Sequence, residues 1–183
     1  MGDPRRQRKS YDTPRHPWRS DQLDVELRLV GEYGLRNKRE LWRYKTMLSE
    51  VRGIARSLLG TSEAERSRIE REYLTKLSRI GILSESASID EVLDLDIRDL
   101  MERRLQTVVF RRGLAKTLHQ ARQMVSHGHI SVADRIISVP GYIVYRNEED
   151  KIKYFSHSPL AKDDHPIRKI ITATSAGQEV AAT

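Results

Sequence analysis

Arg103, Arg104, Arg111, Arg112, Lys116, Arg122, Arg135 and Arg146 fall between positions 103 and 147, a stretch that holds a single acid, Asp134. Their excess equals the formal net charge of +7 carried by the whole 183-residue chain. A compact unit so lopsided repels itself unless a polyanion neutralises it, and nucleic acid is the first candidate. Seven of these eight cations are arginine, whose planar fork holds two phosphate oxygens in fixed geometry where lysine offers a diffuse point charge. His119, Gln120, Arg122 and Gln123 add groups able to bond phosphate, a 2′-hydroxyl or a base edge, which points to RNA.

His127-Gly128-His129 follows, with a glycine that permits a left-handed backbone and close approach of a sugar-phosphate strand. As a metal site the pair lacks a third ligand at suitable spacing, and the alternative role for one histidine is to satisfy a buried backbone group. The chemistry these residues support is non-covalent, and no cofactor is expected.

Such side chains need a scaffold that puts them on one surface. Leu100, Leu105, Val108 and Val109 predict a helix ending at Gly113, with the two arginine doublets on neighbouring sides of it. A second helix is predicted from about Thr117 to Ser126, apolar at Leu118, Ala121 and Val125. After Gly128 the period drops to two: Ile130/Val132, Ile137/Val139, a turn at Pro140-Gly141, Ile143/Tyr145, and a last candidate strand at 151–155. Upstream the period is helical. Leu23, Leu27 and Val30 mark one helix. Asn37, with Glu40 as its capping-box partner, opens a longer one that is apolar at Leu41, Tyr44, Leu48, Val51, Ala55 and Leu58 and ends at Gly60. Lys38, Lys45, Arg52 and Arg56 line one flank of that stripe, either as a solvated face or as a phosphate-binding ridge. A third helix from Ser62 buries Ile69, Tyr73, Leu77 and Ile80. Ser88 with Glu91, and Asp96, cap two further helices. The acids at 90–102 read as caps and solvated charges rather than catalytic groups.

The expected fold class is α+β. A mostly helical N-terminal half (20–102) precedes a small RNA-binding module of two helices on a twisted sheet (103–160). A basic arm (1–19), disordered when free, comes first, and a C-terminal segment (161–183), flexible after about 172, comes last. Cysteine is absent, which excludes disulfides and thiolate-bound zinc, and no apolar run is long enough to span a bilayer. The expectation is a soluble, cytoplasmic protein with no membrane partner.

The run RRLQTVVFRRGLAKTLHQARQMVSHGHISV at 103–132 resembles the RNA-binding module named after ribosomal protein S-four. YDTPRHPW (11–18) and GEYGLRNKRELWR (31–43) resemble the archaeal and eukaryotic branch of that small-subunit ribosomal protein family. The resemblance implies a structural component of the small ribosomal subunit that binds small-subunit rRNA early in assembly, at a helix junction in its 5′ region. It also implies neighbouring small-subunit ribosomal proteins as partners, a position near the messenger RNA entry path and an influence on decoding accuracy. Its RNA-contacting residues would be Arg103, Arg104, Arg111, Arg112, Lys116, His119, Gln120, Arg122, Gln123, His127, His129 and Arg135. Ala133-Asp134 departs from the Asn-Gly usual in the family and puts an acid at an expected phosphate-facing turn. Two other readings use the same module: an RNA-modifying enzyme, and an assembly factor that visits RNA transiently.

Overall fold

Periodicity and caps set the helices of the first half. In the computed structural model, which describes residues 9–162 and 164–171, the Asn37 side chain accepts the Glu40 N–H at 3.2 Å and opens α2 (Lys38–Leu59). All six apolar positions expected of this helix are buried. α1 (Ser20–Glu32) packs on it, rolled away from the expected stripe: Leu27 is exposed, while Leu29 and Glu26 face inward. Polar contacts explain the roll. The Glu26 carboxylate accepts from Lys45 Nζ at 2.6 Å, Gln22 Nε2 at 3.1 Å and Trp42 Nε1 at 3.2 Å, with Lys38 Nζ at 3.5 Å. Burial alone would raise its pKa, but the hydrogen bonds from Lys45 and Gln22 and the Lys45 charge outweigh that and hold it below the ordinary carboxylate value. The basic flank of α2 is therefore largely spent inside the protein. Arg52 donates to the Leu95 carbonyl, and Arg56 is exposed.

α3 (Glu63–Ile80) returns along α2, with Tyr73 donating from its hydroxyl to the Val51 carbonyl. Its buried or half-buried apolar residues, Tyr73, Leu74, Leu77 and Ile80, lie in its second half; Ile69 is exposed, contrary to the periodic expectation. α4 (Ile89–Asp94) and α5 (Ile97–Glu102) begin at the expected caps: Glu91 accepts the Ser88 N–H, and Asp96 accepts the Ile97 N–H. In the arm, the Asp12 N–H donates to Thr46 Oγ1 and Tyr11 lies 5.9 Å from the Trp42 ring; residues 1–8 and those after Ile171 lie outside the described residues.

The second core joins α6 (Leu105–Arg111) and α7 (Leu118–Ser126) to a sheet of order β2-β1-β3, antiparallel throughout. Its strands are β1 (Ile130–Val132), β2 (Arg135–Ile136) and β3 (Ile152–Tyr154), and Leu105, Val109, Ala121, Val125, Ile130 and Val144 are fully buried. A single turn, α8 (Arg146–Glu149), precedes β3.

Two expectations fail here for one reason. The helix expected to run from Leu100 through Phe110 breaks at Arg103–Arg104, and no strand forms at Ile143 and Tyr145. Arg104 is extended and bridges Ile143, and the segment after the Pro140-Gly141 turn lies across the start of α6. The carbonyls of Tyr142 and Pro140 accept the N–H groups of Leu105 (2.8 Å) and Gln106 (3.3 Å), donors that a helix start otherwise leaves unsatisfied. Val144, not Ile143 or Tyr145, faces the core, and Val139 is exposed.

Gln106 bolts the halves together. Fully buried, its amide donates to the carbonyls of Gly34 and Leu118 at 3.0 Å each. Gly34 has φ +56°, and a β-carbon there would meet Leu118 Cβ at 2.9 Å, so only glycine permits this approach. Among the described residues no helix is long and apolar enough to cross a membrane.

Candidate nucleic-acid interface

The basic stretch divides by depth. Arg104 is 1% exposed and donates to Glu40 at 2.5 Å. Arg122, on α7, makes a two-pronged pair with the same carboxylate, at 2.7 Å to Oε1 and 3.1 Å to Oε2. Burial would raise the Glu40 pKa, but the hydrogen bond from Arg122 and the charge and hydrogen bond of Arg104 outweigh it and keep the carboxyl below its ordinary value. Glu40 thus turns away from the reciprocal capping role its spacing suggests and ties α2 to both helices of the module. Arg103 is also held inside, with Nη1 2.8 Å from Glu149 and Nη2 donating to the Val144 carbonyl at 3.3 Å. These three arginines are commitments of the fold.

The others lie at the surface. Arg111 is 63% exposed and pairs with Glu102 at 2.6 Å; Arg112 pairs with Asp150, itself almost fully exposed, at 2.7 Å. An exposed pair such as that of Arg112 and Asp150 contributes about 0–1 kcal/mol, whereas Glu102 is half-buried and also accepts from the Tyr33 hydroxyl at 3.0 Å. Lys116, His119, Gln123, His127 and Arg135 are exposed, and Gln120 is half-buried, its amide oxygen accepting the Lys116 N–H at 2.7 Å. Thr117 caps α7 by accepting the Gln120 N–H, which fixes the angle at which this face is presented. The surface therefore runs from the end of α6, over the 113–117 turn, along the outer side of α7 and onto the β1–β2 hairpin.

Two details differ from the sequence reading. Six of the eight cations at 103–146 have a carboxylate within 4.0 Å, from Glu40, Glu85, Glu102, Glu149 or Asp150, so the +7 excess is a property of the stretch and not of its surroundings. The space over Gly128 (φ +73°) is taken by Ile136 Cγ2, 3.3 Å from where a β-carbon would stand, so it serves the protein's own hairpin. His129 Nδ1 lies 2.8 Å from Ser158 Oγ and its ring stacks beside His127. At the Ala133-Asp134 turn both residues have positive φ, 48° and 67°, in a two-residue loop between Val132 and Arg135. Asp134 pairs with Lys153 at 2.7 Å, and that lysine's hydrogen bond and charge lower its pKa.

Arg36, Arg39 and Arg43 were not among the candidates singled out in the sequence. The chain from Gly34, against Leu118, to Glu40, against Arg122, follows one side of α7, so exposed Arg36 and Arg39 border the same helix and Arg43 lies one turn beyond Glu40. Their charge was visible in GEYGLRNKRE; the packing that brings them here was not.

The family described as the S4 domain matches residues 103–150, which carry the helix pair α6 and α7 and the strands β1 and β2. The similarity extends over nearly the whole chain. The small ribosomal subunit protein uS4 of Methanothermobacter thermautotrophicus is 50% identical over 162 residues, covering 88% of this chain and 95% of that protein. The uS4 of Thermoplasma acidophilum is 45% identical over 94% of this chain and 88% of its own length, and that of Nanoarchaeum equitans 46% identical over 96% and 99%. The chain belongs to the uS4 family of small ribosomal subunit proteins, in its archaeal and eukaryotic branch.

Proposed function

We propose that this protein is a non-catalytic structural component of the small ribosomal subunit in the cytoplasm. It holds small-subunit rRNA through the exposed cations Arg111, Arg112, Lys116 and Arg135, with His119, Gln120, Gln123, His127 and His129 adding hydrogen-bonding groups. Membership of the uS4 family over almost the full chain carries the reading, and the exposed cationic border of α7 supplies a physical means. Binding is phosphate neutralisation combined with recognition of folded RNA shape. Neighbouring ribosomal proteins are partners in the subunit. Early entry into assembly, a position near the messenger RNA entry path and an effect on decoding accuracy are the finer parts of the proposal.

The test is binding of the full chain to a transcript from the 5′ region of small-subunit rRNA across a salt series, with sedimentation of tagged protein from cells. Tight binding that falls steeply with salt, and retention on small subunits through a high-salt wash, are expected. Indifference to the transcript, or loss of the protein in the wash, would overturn the reading.

A further inference from the structure

A cavity of about 360 Å³ opens where the two halves meet, between α2, the α5–α6 junction, α7 and the Pro140-Gly141 turn. One side is charged: Arg104 and Arg122 hold the single carboxylate of Glu40 and Arg43 lines the cavity beside them, leaving a net positive lining. The other is apolar, formed by Met47, Val139 and Ile143 with the ring of Tyr44. The wall is rigid. Backbone hydrogen bonds from Leu105 and Gln106 hold residues 140–142, and the Tyr44 hydroxyl donates to the Gly141 carbonyl at 3.3 Å.

Polar capacity is left over inside. Arg104 Nε is buried without a hydrogen-bond partner, and among the described residues Arg43 makes no ion pair. Glu40 accepts three hydrogen bonds, from Arg104 and twice from Arg122, out of the roughly four a carboxylate supports. A rigid, partly apolar cleft with a few convergent polar groups has the form of a small-molecule-sized binding site.

We propose that this cavity receives one unstacked nucleotide of the bound RNA. The base lies against the Met47–Val139–Ile143 wall, the exposed Arg43 takes its phosphate or stacks on its face, and Glu40 has one acceptor position for an exocyclic amino group. Splayed single-stranded bases are what proteins read in folded RNA, by apolar or guanidinium stacking and by edge hydrogen bonds. The charge of the lining, three arginines against one carboxylate beside an apolar wall, suits a nucleotide, which carries an anionic phosphate and a flat base together. The proposal rests on the RNA-binding reading above and adds to it a recognition element that does not depend on phosphate alone.

The cavity can be filled without disturbing its frame. A β-carbon added at Gly141 would meet only the Tyr44 hydroxyl, at an ordinary 3.9 Å, and Val139 is 58% exposed at the rim. Gly141→Phe and, independently, Val139→Trp are compared with the unaltered full chain on the rRNA transcript, after thermal unfolding has established that they are folded. Either folded variant should bind roughly tenfold more weakly, the scale of one lost base contact. The salt slope should fall by no more than the single phosphate contact of Arg43, about 0.7–0.9, and one base protected from chemical probing in the unaltered complex should become reactive. Unchanged affinity and unchanged base reactivity in folded variants would overturn the proposal while leaving RNA binding intact. So would normal RNA binding with failure to enter small subunits, which would make the occupant a protein side chain. If the unaltered chain ignores the transcript, the RNA reading falls first and this one with it.

Discussion

Arg104 and Arg111 stand seven positions apart in one basic run, yet the first is 1% exposed and the second 63%. Around Arg104, at the α5–α6 junction, guanidinium groups meet carboxylates drawn from distant parts of the chain, Glu40 and Glu149, and the charge is neutralised within the fold. Around Arg111, at the rim between α6 and α7, the guanidinium groups themselves are at the surface: Arg111 pairs with half-buried Glu102, which also accepts from the Tyr33 hydroxyl, and Arg112 with the almost fully exposed Asp150. Charge counted along a sequence therefore overstates the phosphate-binding surface. Depth separates the arginines that hold the protein from those left at its surface.

The contrast breaks most sharply at the junction. Arg104→Ala leaves Glu40 with half its partners in a buried site and should cost about 3–5 kcal/mol in urea unfolding at neutral pH. A change below about 1 kcal/mol would mean that the pair is solvated and the distinction false. At the rim the signs reverse. Replacing Arg111 and Arg112 together with Ala should leave stability within about 1 kcal/mol. The same change should flatten the log–log salt dependence of rRNA binding by about 1.4–1.8, the loss of two phosphate contacts. Loss of stability with an unaltered slope would assign these arginines to the fold.

Acid sharpens the comparison. Because the folded pKa of Glu40 is depressed, its contribution is present above the unfolded value of 4.5 and is lost as pH falls through the lower folded value. Glu40→Gln should lower stability by about 2 kcal/mol at neutral pH and remove that part of the acid-induced loss; an identical pH profile would contradict the assignment. The smallest effect belongs to the β1–β2 hairpin. Ala133 and Asp134 occupy left-handed conformations favoured by Asn and Gly, so Ala133→Asn with Asp134→Gly should raise stability by about 1 kcal/mol, against the minor loss of the exposed Lys153 pair. A lower melting temperature would show that the pair matters more than the strain.

What the sequence made legible follows its local rules. The buried stripe of α2, the caps at Asn37, Ser88 and Asp96, and the shift to strands after Gly128 all depend on neighbours within a few positions, which periodicity and capping register directly. Contacts across long separations escaped it. Glu40 lies 64 residues from Arg104 and 82 from Arg122, so nothing local marked either arginine as internal. The break at Arg103–Arg104 was hidden for the same reason, since carbonyls from residues 140 and 142 cap α6 from outside its own sequence. Glu26 likewise rolled α1 by recruiting Lys45 and Trp42, which an apolar count alone does not register.

The division between inner and outer arginines is tested most directly by footprinting with arginine- and lysine-modifying reagents, on the free chain and on its complex with small-subunit rRNA. Arg111, Arg112, Lys116 and Arg135 should react in the free chain and be shielded in the complex, with Arg104 unreactive in both. Equal reactivity of those four residues in a complex that has formed would place the RNA elsewhere and contradict the account.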